Sequence, residues 1–322
     1  LVVRRRTLRD ALMRPARLRA RAWLLGALVA VAPAPTVTAQ PKAAASAPTP
    51  TPTARHAQDD RGRRLVLPRA PARIVSLAPH ATELLFASGL GARVVAVDRD
   101  SDFPEAARAL PRVASHPRPD AEELLAFAPD LVVIWGAGAD RELLERFEAL
   151  GMTVFVSEPR TLDDVAESLE RFARLSTDAS AGLAAAHAFR ARIAEIRERY
   201  ANRRPVRVFV QVWSSPLIGI GDGDVIGDAV RSCGGSNVLA GAAAVAPQLD
   251  AEAVIVARPE LILATDGTRS ERVWRERGLL APRGVARFAA FDASTMQRPG
   301  PRVLDALDRL CREIDAARRT AR

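Results

Sequence analysis

One phrase occurs twice in this chain, and it constrains the architecture more than any other feature. Asp120-Ala121-Glu122 opens an apolar run that reaches Pro129 and continues as Leu131-Val132-Val133-Ile134-Trp135. Asp250-Ala251-Glu252 opens a second run that reaches Pro259 and continues as Leu261-Ile262-Leu263-Ala264-Thr265. The spacing from Asp to Pro is nine residues in both copies. A proline disfavours helical backbone in the residue before it, so each copy reads as a helix that stops there and passes at once into a buried strand. Copies 130 residues apart imply two lobes on one plan. Two lobes leave a cleft, and a cleft is where a ligand is expected.

The flanking sequence supports the same plan. Arg73–Leu77, Val94–Val97, Leu131–Trp135 and Thr153–Val156 read as strands, and helices over Thr82–Leu90 and Arg141–Leu150 each stop at a glycine. Strands separated by single helices pair in parallel through right-handed crossovers. Residues 162–202 break the rhythm with one short helix and one long one over about Ala179–Tyr200. Apolar residues at Leu183, Ala186, Phe189, Ile193 and Ile196 follow helical spacing. The pattern restarts at Val206–Val212, continues through a helix over Val225–Ser232 and a strand over Arg287–Phe291, and closes with a helix over Arg302–Ala317. The expected fold class is therefore α/β: two Rossmann-like lobes with central parallel sheets, joined by a single long α-helix, with the cleft between them. The expected divisions are an N-terminal lobe over 64–176, a connecting helix over 177–203 and a C-terminal lobe over 204–322.

The net charge of +9 is concentrated at the start. Residues 1–39 hold eight arginines and one acid, and the remainder has 39 basic and 37 acidic residues, a net of +2. No basic stripe remains to suggest nucleic acid. An arginine-rich start, the apolar core Ala22–Val31 and small residues around Thr38-Ala39-Gln40 give residues 1–40 the form of a cleaved export signal, with an uncleaved membrane anchor as the alternative. No cysteine stands near the cleavage site to carry a lipid anchor. Residues 41–63, rich in Pro, Ala, Ser and Thr and then charged, are expected to form a disordered leader. Cys233 and Cys311 are the two cysteines. Export places them where disulfides persist, so pairing is expected, with two buried free thiols as the alternative.

The order of these segments resembles the periplasmic substrate-binding proteins of cobalamin, haem and iron-siderophore ABC importers, most of all the cobalamin-binding branch. In the N-terminal half the resemblance is carried by Arg73-Ile74-Val75-Ser76-Leu77-Ala78-Pro79 with Thr82-Glu83-Leu84, by Ser101-Asp102-Phe103-Pro104, and by Pro129-Asp130-Leu131-Val132. In the C-terminal half it is carried by Arg207–Gln211, Cys233-Gly234-Gly235-Ser236-Asn237, Pro247-Gln248-Leu249 and Pro301-Arg302. It covers roughly residues 70–315. It implies a periplasmic receptor, not an enzyme, with no intrinsic cofactor. It also implies cobalamin as the transported ligand and an inner-membrane permease as partner, with haem or a ferric siderophore as the alternative ligand. Enzyme signatures are missing as well, with no Gly-x-Ser-x-Gly, Walker loop or His-Glu-x-x-His in the chain. An exported α/β enzyme or scaffold is the reading from another class. A monomer is expected, since permease docking uses the exposed ends of both lobes.

The resemblance also assigns residues. Glu122 and Glu252 stand where the family's two permease-facing glutamates stand, and their alternative is ordinary first-turn acids favoured by the helix dipole. Cys233 and Cys311 match a linked pair in the cobalamin-binding relatives. Arg298 matches a cleft arginine, although Ser294 replaces its acidic partner. Asp100, His116 and Ala246 fall where relatives place aromatic rings over the corrin, so Trp135 and Trp213 are the candidate cleft aromatics, with core packing as their alternative. His80 and His116 lie in loops that leave the same end of a parallel sheet, where ligands bind. An imidazole there can act as an axial ligand to cobalt or haem iron, His116 first, or it can be a solvated loop histidine.

Overall fold

Two separate five-stranded sheets carry the chain, in a computed structural model that describes residues 54–267, 269–280, 284 and 286–320. The expected export signal and the first part of the expected leader lie outside the described residues. The end of that leader is not a leader. β1 (Arg55–Gln58) pairs antiparallel with β2 (Arg64–Leu67) in a hairpin. The turn is held by Asp59, whose buried carboxylate accepts the Arg61 and Arg63 amides, and by Gly62 at φ +77°. Composition hid the hairpin because its stabilising contacts are polar and long-range.

The first sheet is all parallel, in the order β5-β4-β3-β6-β7. Its strands are β3 (Ile74–Ser76), β4 (Val94–Asp98), β5 (Arg112–Val113), β6 (Leu131–Trp135) and β7 (Val154–Ser157). The crossovers contain α1 (Pro79–Ala87), α2 (Glu105–Arg108), α3 (Ala121–Leu125) and α4 (Arg141–Ala149). α1 starts three residues earlier than the sequence suggests, because Pro79 supplies a preset φ in the first turn.

Next come α5 (Leu162–Leu175), opened by a Thr161/Asp164 capping box, and the 21-residue α6 (Ser180–Tyr200). α6 is about 30 Å long at 1.5 Å per residue. The second sheet runs β10-β8-β11-β12, parallel, from β8 (Val206–Ser214), β10 (Gly235–Asn237), β11 (Leu261–Ala264) and β12 (Arg287–Ala290). β9 (Leu217–Gly219) folds back antiparallel on β8. α7 (Val225–Ser232), α8 (Ala251–Ala257), α9 (Arg269–Glu276), α10 (Ala293–Met296) and α11 (Val303–Thr320) complete this half. Cys233 and Cys311 are bonded, linking the end of α7 to α11.

A single buried cluster runs from one sheet to the other. It takes Leu84 and Leu85 from the first half, Phe172 and Phe189 from α5 and α6, and Val208 and Leu307 from the second.

The repeat seen in the sequence extends to the backbone. The residue before the proline is left-handed in both copies: Ala128 at φ 44° and Arg258 at φ 46° are the non-glycine residues with positive φ among those described. Each copy thus leaves its helix by the same turn into its strand. The caps differ, since the Asp120 carboxylate accepts the Glu122 amide while Asp250 makes no such bond. An L-residue in this conformation costs about 1 kcal/mol that glycine avoids. Exposed Ala128 is the cleaner test. Ala128→Gly is expected to raise stability by about 0.5 kcal/mol after the greater chain entropy of glycine is subtracted. Denaturant unfolding checks this, and a lowered midpoint refutes it.

Candidate functional site

Loops leaving the C-terminal ends of all five strands in the first sheet converge on one cavity of about 800 Å³. They contribute Leu77–His80, Asp98 and Asp100, Ser115–Pro117, Trp135 with Ala137 and Gly138, and Glu158–Arg160. The opposite wall comes from the second half: Gly223, Asp224, Val245 and Gln297–Pro299. This is the cleft that the duplicated plan called for, with a volume in the upper part of the usual range for small-molecule sites.

Five of the sequence-selected residues meet here. His80, Asp100, His116, Trp135 and Arg298 all line the cavity. Trp135, the last residue of β6, is 53% exposed and stands in the lining without being covered. His116 is also exposed. His80 is not a solvated loop residue: it sits in the first turn of α1, buried, with Nε2 3.2 Å from Ser157 Oγ. Trp213 does not belong to this lining. β8 continues past the sheet into the ribbon with β9, pairing Trp213 with Ile218, and the indole Nε1 donates to the Ser215 carbonyl at 2.9 Å. Ala246 is exposed and its neighbour Val245 lines the cavity instead.

Arg298 finds its acid across the cleft. With Ser294 unable to pair, its guanidinium donates to Asp102 at 2.5 Å and to the Asp100 carbonyl at 3.1 Å, both in the first half. Arg302 reinforces this bridge. It holds the Glu83 carboxylate through two nitrogens, at 2.5 and 3.1 Å, and stacks 4.3 Å over the Phe103 ring. Glu83 is 3% exposed, and burial pushes its carboxyl above the usual range against the pull of Arg302. In the sequence Glu83 and Asp102 are legible only as marks of the resemblance. The available signal was an acid among the apolar residues Ala81, Leu84 and Leu85, which had to be buried with a partner.

The permease-facing candidates lie elsewhere. Glu122 and Glu252 occupy the first turns of α3 and α8, both exposed. Each has an arginine of its own half: Arg146 at 2.5 Å and Arg277 at 3.5 Å. Among the described residues, no group of three or more His, Cys, Asp or Glu side chains is placed to hold a metal ion.

Burial pulls the His80 imidazole down to about 4, with Arg298 adding to the effect, so His80 is neutral in neutral solution. Burial also pushes Asp98 and Asp224 up. Asp60, in the hairpin loop behind the cleft wall, is pushed up to about 6, again by burial first. The two large shifts act in opposite senses on stability. Between about 6.5 and 4 the unfolded chain protonates at His80 while the fold does not, so acidification costs the fold up to about 3 kcal/mol. Between about 6 and 3.8 the fold protonates at Asp60 first, so acidification favours it. His80→Gln removes the first effect and leaves the rest of the titration in place. Its melting temperature, compared with that of the parent protein, is expected to gain several degrees on going from about pH 7 to about pH 5. Equal pH profiles for the two proteins refute the assignment. Arg302→Ala, which strands a buried carboxylate, is expected to cost about 3 kcal/mol in urea unfolding. A cost under about 1 kcal/mol would place that pair among ordinary surface contacts.

A family model described as periplasmic binding protein matches residues 74–291. The chain is 35% identical over 257 residues to the vitamin B12-binding protein of Vibrio cholerae serotype O1, covering 79% of this chain and 93% of that one. It is 35% identical over 251 residues to the vitamin B12-binding protein of Yersinia pestis, covering 78% and 89%. Among solved structures, the periplasmic vitamin B12 binding protein of Vibrio cholerae superposes with a TM-score of 0.71 at 35% identity, over 77% of this chain and 98% of that one. The periplasmic haem-binding protein of Roseiflexus sp. RS-1 superposes with a TM-score of 0.65 at 28% identity, over 76% and 98%.

Proposed function

The chain belongs to the periplasmic binding protein family, and from that premise we propose that it is a receptor that takes a corrinoid of the vitamin B12 class into this cleft and delivers it to an ABC importer. The family binds and hands over its solutes without altering them, so the site needs shape and complementary polarity rather than a catalyst. The observation that carries the reading is the charge balance of the cavity. Its lining holds four acids, Asp98, Asp100, Glu158 and Asp224, against two arginines. Both arginines are already paired, Arg160 with Glu158 at 2.7 Å and Arg298 with Asp102 at 2.5 Å. Haem brings two carboxylates that would need free cations. A corrinoid brings neutral amides around a cationic metal, and the carboxylates and backbone groups here can accept hydrogen bonds from those amides. Leu77, Ile134, Trp135 and Val245 supply apolar surface for the flat ring.

Haem stands as a second reading on one observation: the exposed imidazole of His116 in the lining, suited to an axial position. In the corrinoid reading the same residue would reach the cobalt. Within this proposal Glu122 and Glu252 meet the permease, one per lobe, and the receptor acts as a monomer. Residues 1–40 are its cleaved export signal, and the lobes divide around the connecting helix, the first opening with the β1–β2 hairpin and the second at residue 204.

Thermal unfolding with cyanocobalamin and with haemin tests the reading. Free ligand at about 100 times Kd is expected to stabilise the fold by roughly 2.7 kcal/mol. Cyanocobalamin is expected to reach that at a concentration at least about tenfold below haemin. Haemin as the tighter ligand, with its absorbance band lost in His116→Ala, establishes the second reading, and no response to either ligand removes both.

A further inference from the structure

Three polar segments of the first half interlock behind the wall of the cavity. One is the turn of the β1–β2 hairpin. Its Arg61 guanidinium donates to the Ala139 carbonyl at 2.6 Å and to the Gly136 carbonyl at 2.7 Å. Among the described residues Arg61 has no carboxylate at ion-pair distance, so its charge is given to these two carbonyls. The second segment is the turn that receives them. It follows β6 directly, and the Ala139 amide closes it by donating back to the Gly136 carbonyl at 3.0 Å. This turn presents Trp135, Ala137 and Gly138 to the cavity, and Trp135 is the aromatic ring of the lining. The third segment is the loop after β7. The hairpin's Asp60 accepts the Glu158 amide and pairs with Arg171 of α5. Glu158 packs so closely against Gly136 that a Cβ there would overlap its carboxylate.

We propose that Arg61 is a positioning residue for ligand recognition: by clamping the Gly136 and Ala139 carbonyls it fixes the turn that holds Trp135 against the ligand. The inference rests on the cleft being the ligand site. Trp135 is half exposed and ends a strand, so its own packing does not fix its place. A short turn with two glycines, Gly136 and Gly138, has many backbone alternatives. Two charge-assisted hydrogen bonds from a planar fork select one of them. The ligand then avoids the entropy of ordering the turn on binding. The hairpin is thus a brace for the recognition surface that never touches the ligand.

Hydrogen exchange and binding on the full mature protein separate this role from a general structural one. In Arg61→Ala the Ala139 amide is expected to exchange at least about tenfold faster, while amides of β3 and β4 keep their protection. The Kd for cyanocobalamin is expected to rise about tenfold. Arg61→Lys, which can hold one carbonyl, falls between, and Arg64→Ala on the exposed face of β2 changes neither quantity. Unchanged exchange at Ala139 overturns the proposal, as does faster exchange without loss of affinity, or faster exchange spread evenly across the lobe. If Arg61→Ala does not fold, Arg61→Gln replaces it under the same criteria. If the parent protein binds no cyanocobalamin, the corrinoid reading has failed, and the exchange at Ala139 still decides whether Arg61 fixes the turn.

Discussion

The unbroken apolar core between the two sheets is the constraint on which the cleft depends. Leu169 and Phe172 of α5 and Phe189 and Ile193 of α6 are buried in one cluster with Leu84 of the first half and Val230 and Leu307 of the second. Moving the halves apart would expose these side chains at about 1.5–3 kcal/mol each. Asp228 on α7 adds a polar anchor on the same side: it accepts the Leu162 amide at the start of α5 and pairs with Arg197 of α6. On the cleft side, Arg302 and Arg298 reach from the second half to Glu83 and Asp102 of the first. The halves are therefore held both along α5 and α6 and at the mouth of the cleft. A receptor built this way meets its ligand with a nearly formed site and spends little binding energy on closure.

The same geometry explains the electrostatics of the cavity. Strands buried on both faces end in loops whose polar groups have to find partners within the site. Asp98 takes the Ser101 hydroxyl and the Asp100 amide, Asp224 caps α7 through the Ile226 amide, and His80 meets Ser157. These bonds use part of the hydrogen-bonding capacity of each group, and all three residues line the cavity. A ligand with many uncharged donors fits such a wall better than one with carboxylates, because it adds hydrogen bonds without adding like charge.

Much of the architecture was legible because it rests on local signals. The Asp-to-Pro repeat located α3 with β6 and α8 with β11, and the restart at Val206 located the second sheet. α7 lies over Val225–Ser232 as expected, closed off by Gly234-Gly235. The elements that sequence reasoning missed lack such signals. The β1–β2 hairpin owes its place to Asp59 and Asp60 bonding to β7 and α5, contacts about 100 residues away in sequence. The cavity residues were half legible. His80, Asp100, His116, Trp135 and Arg298 follow from knowing which end of a parallel sheet binds ligands, together with the family resemblance. Trp213 stands outside the cavity lining because β8 overruns its neighbours into the ribbon with β9, which nothing in the sequence signals, and the pairing of Glu83 is not legible because its partner lies 219 residues away.

The repeat also bears on how the proposed docking would work. Both copies put a glutamate in the first turn of a helix, where the dipole favours a negative charge. Both also place an arginine of the same half beside it, Arg146 and Arg277. A permease that offered its own cations to Glu122 and Glu252 would be exchanging one exposed ion pair for another, with little net energy per contact. Two such exchanges, one on each lobe, still define an orientation, because both are satisfied in only one pose. Weak contacts in a fixed geometry let a receptor dock in register and leave again once its cargo has passed on, and the duplication supplies that geometry.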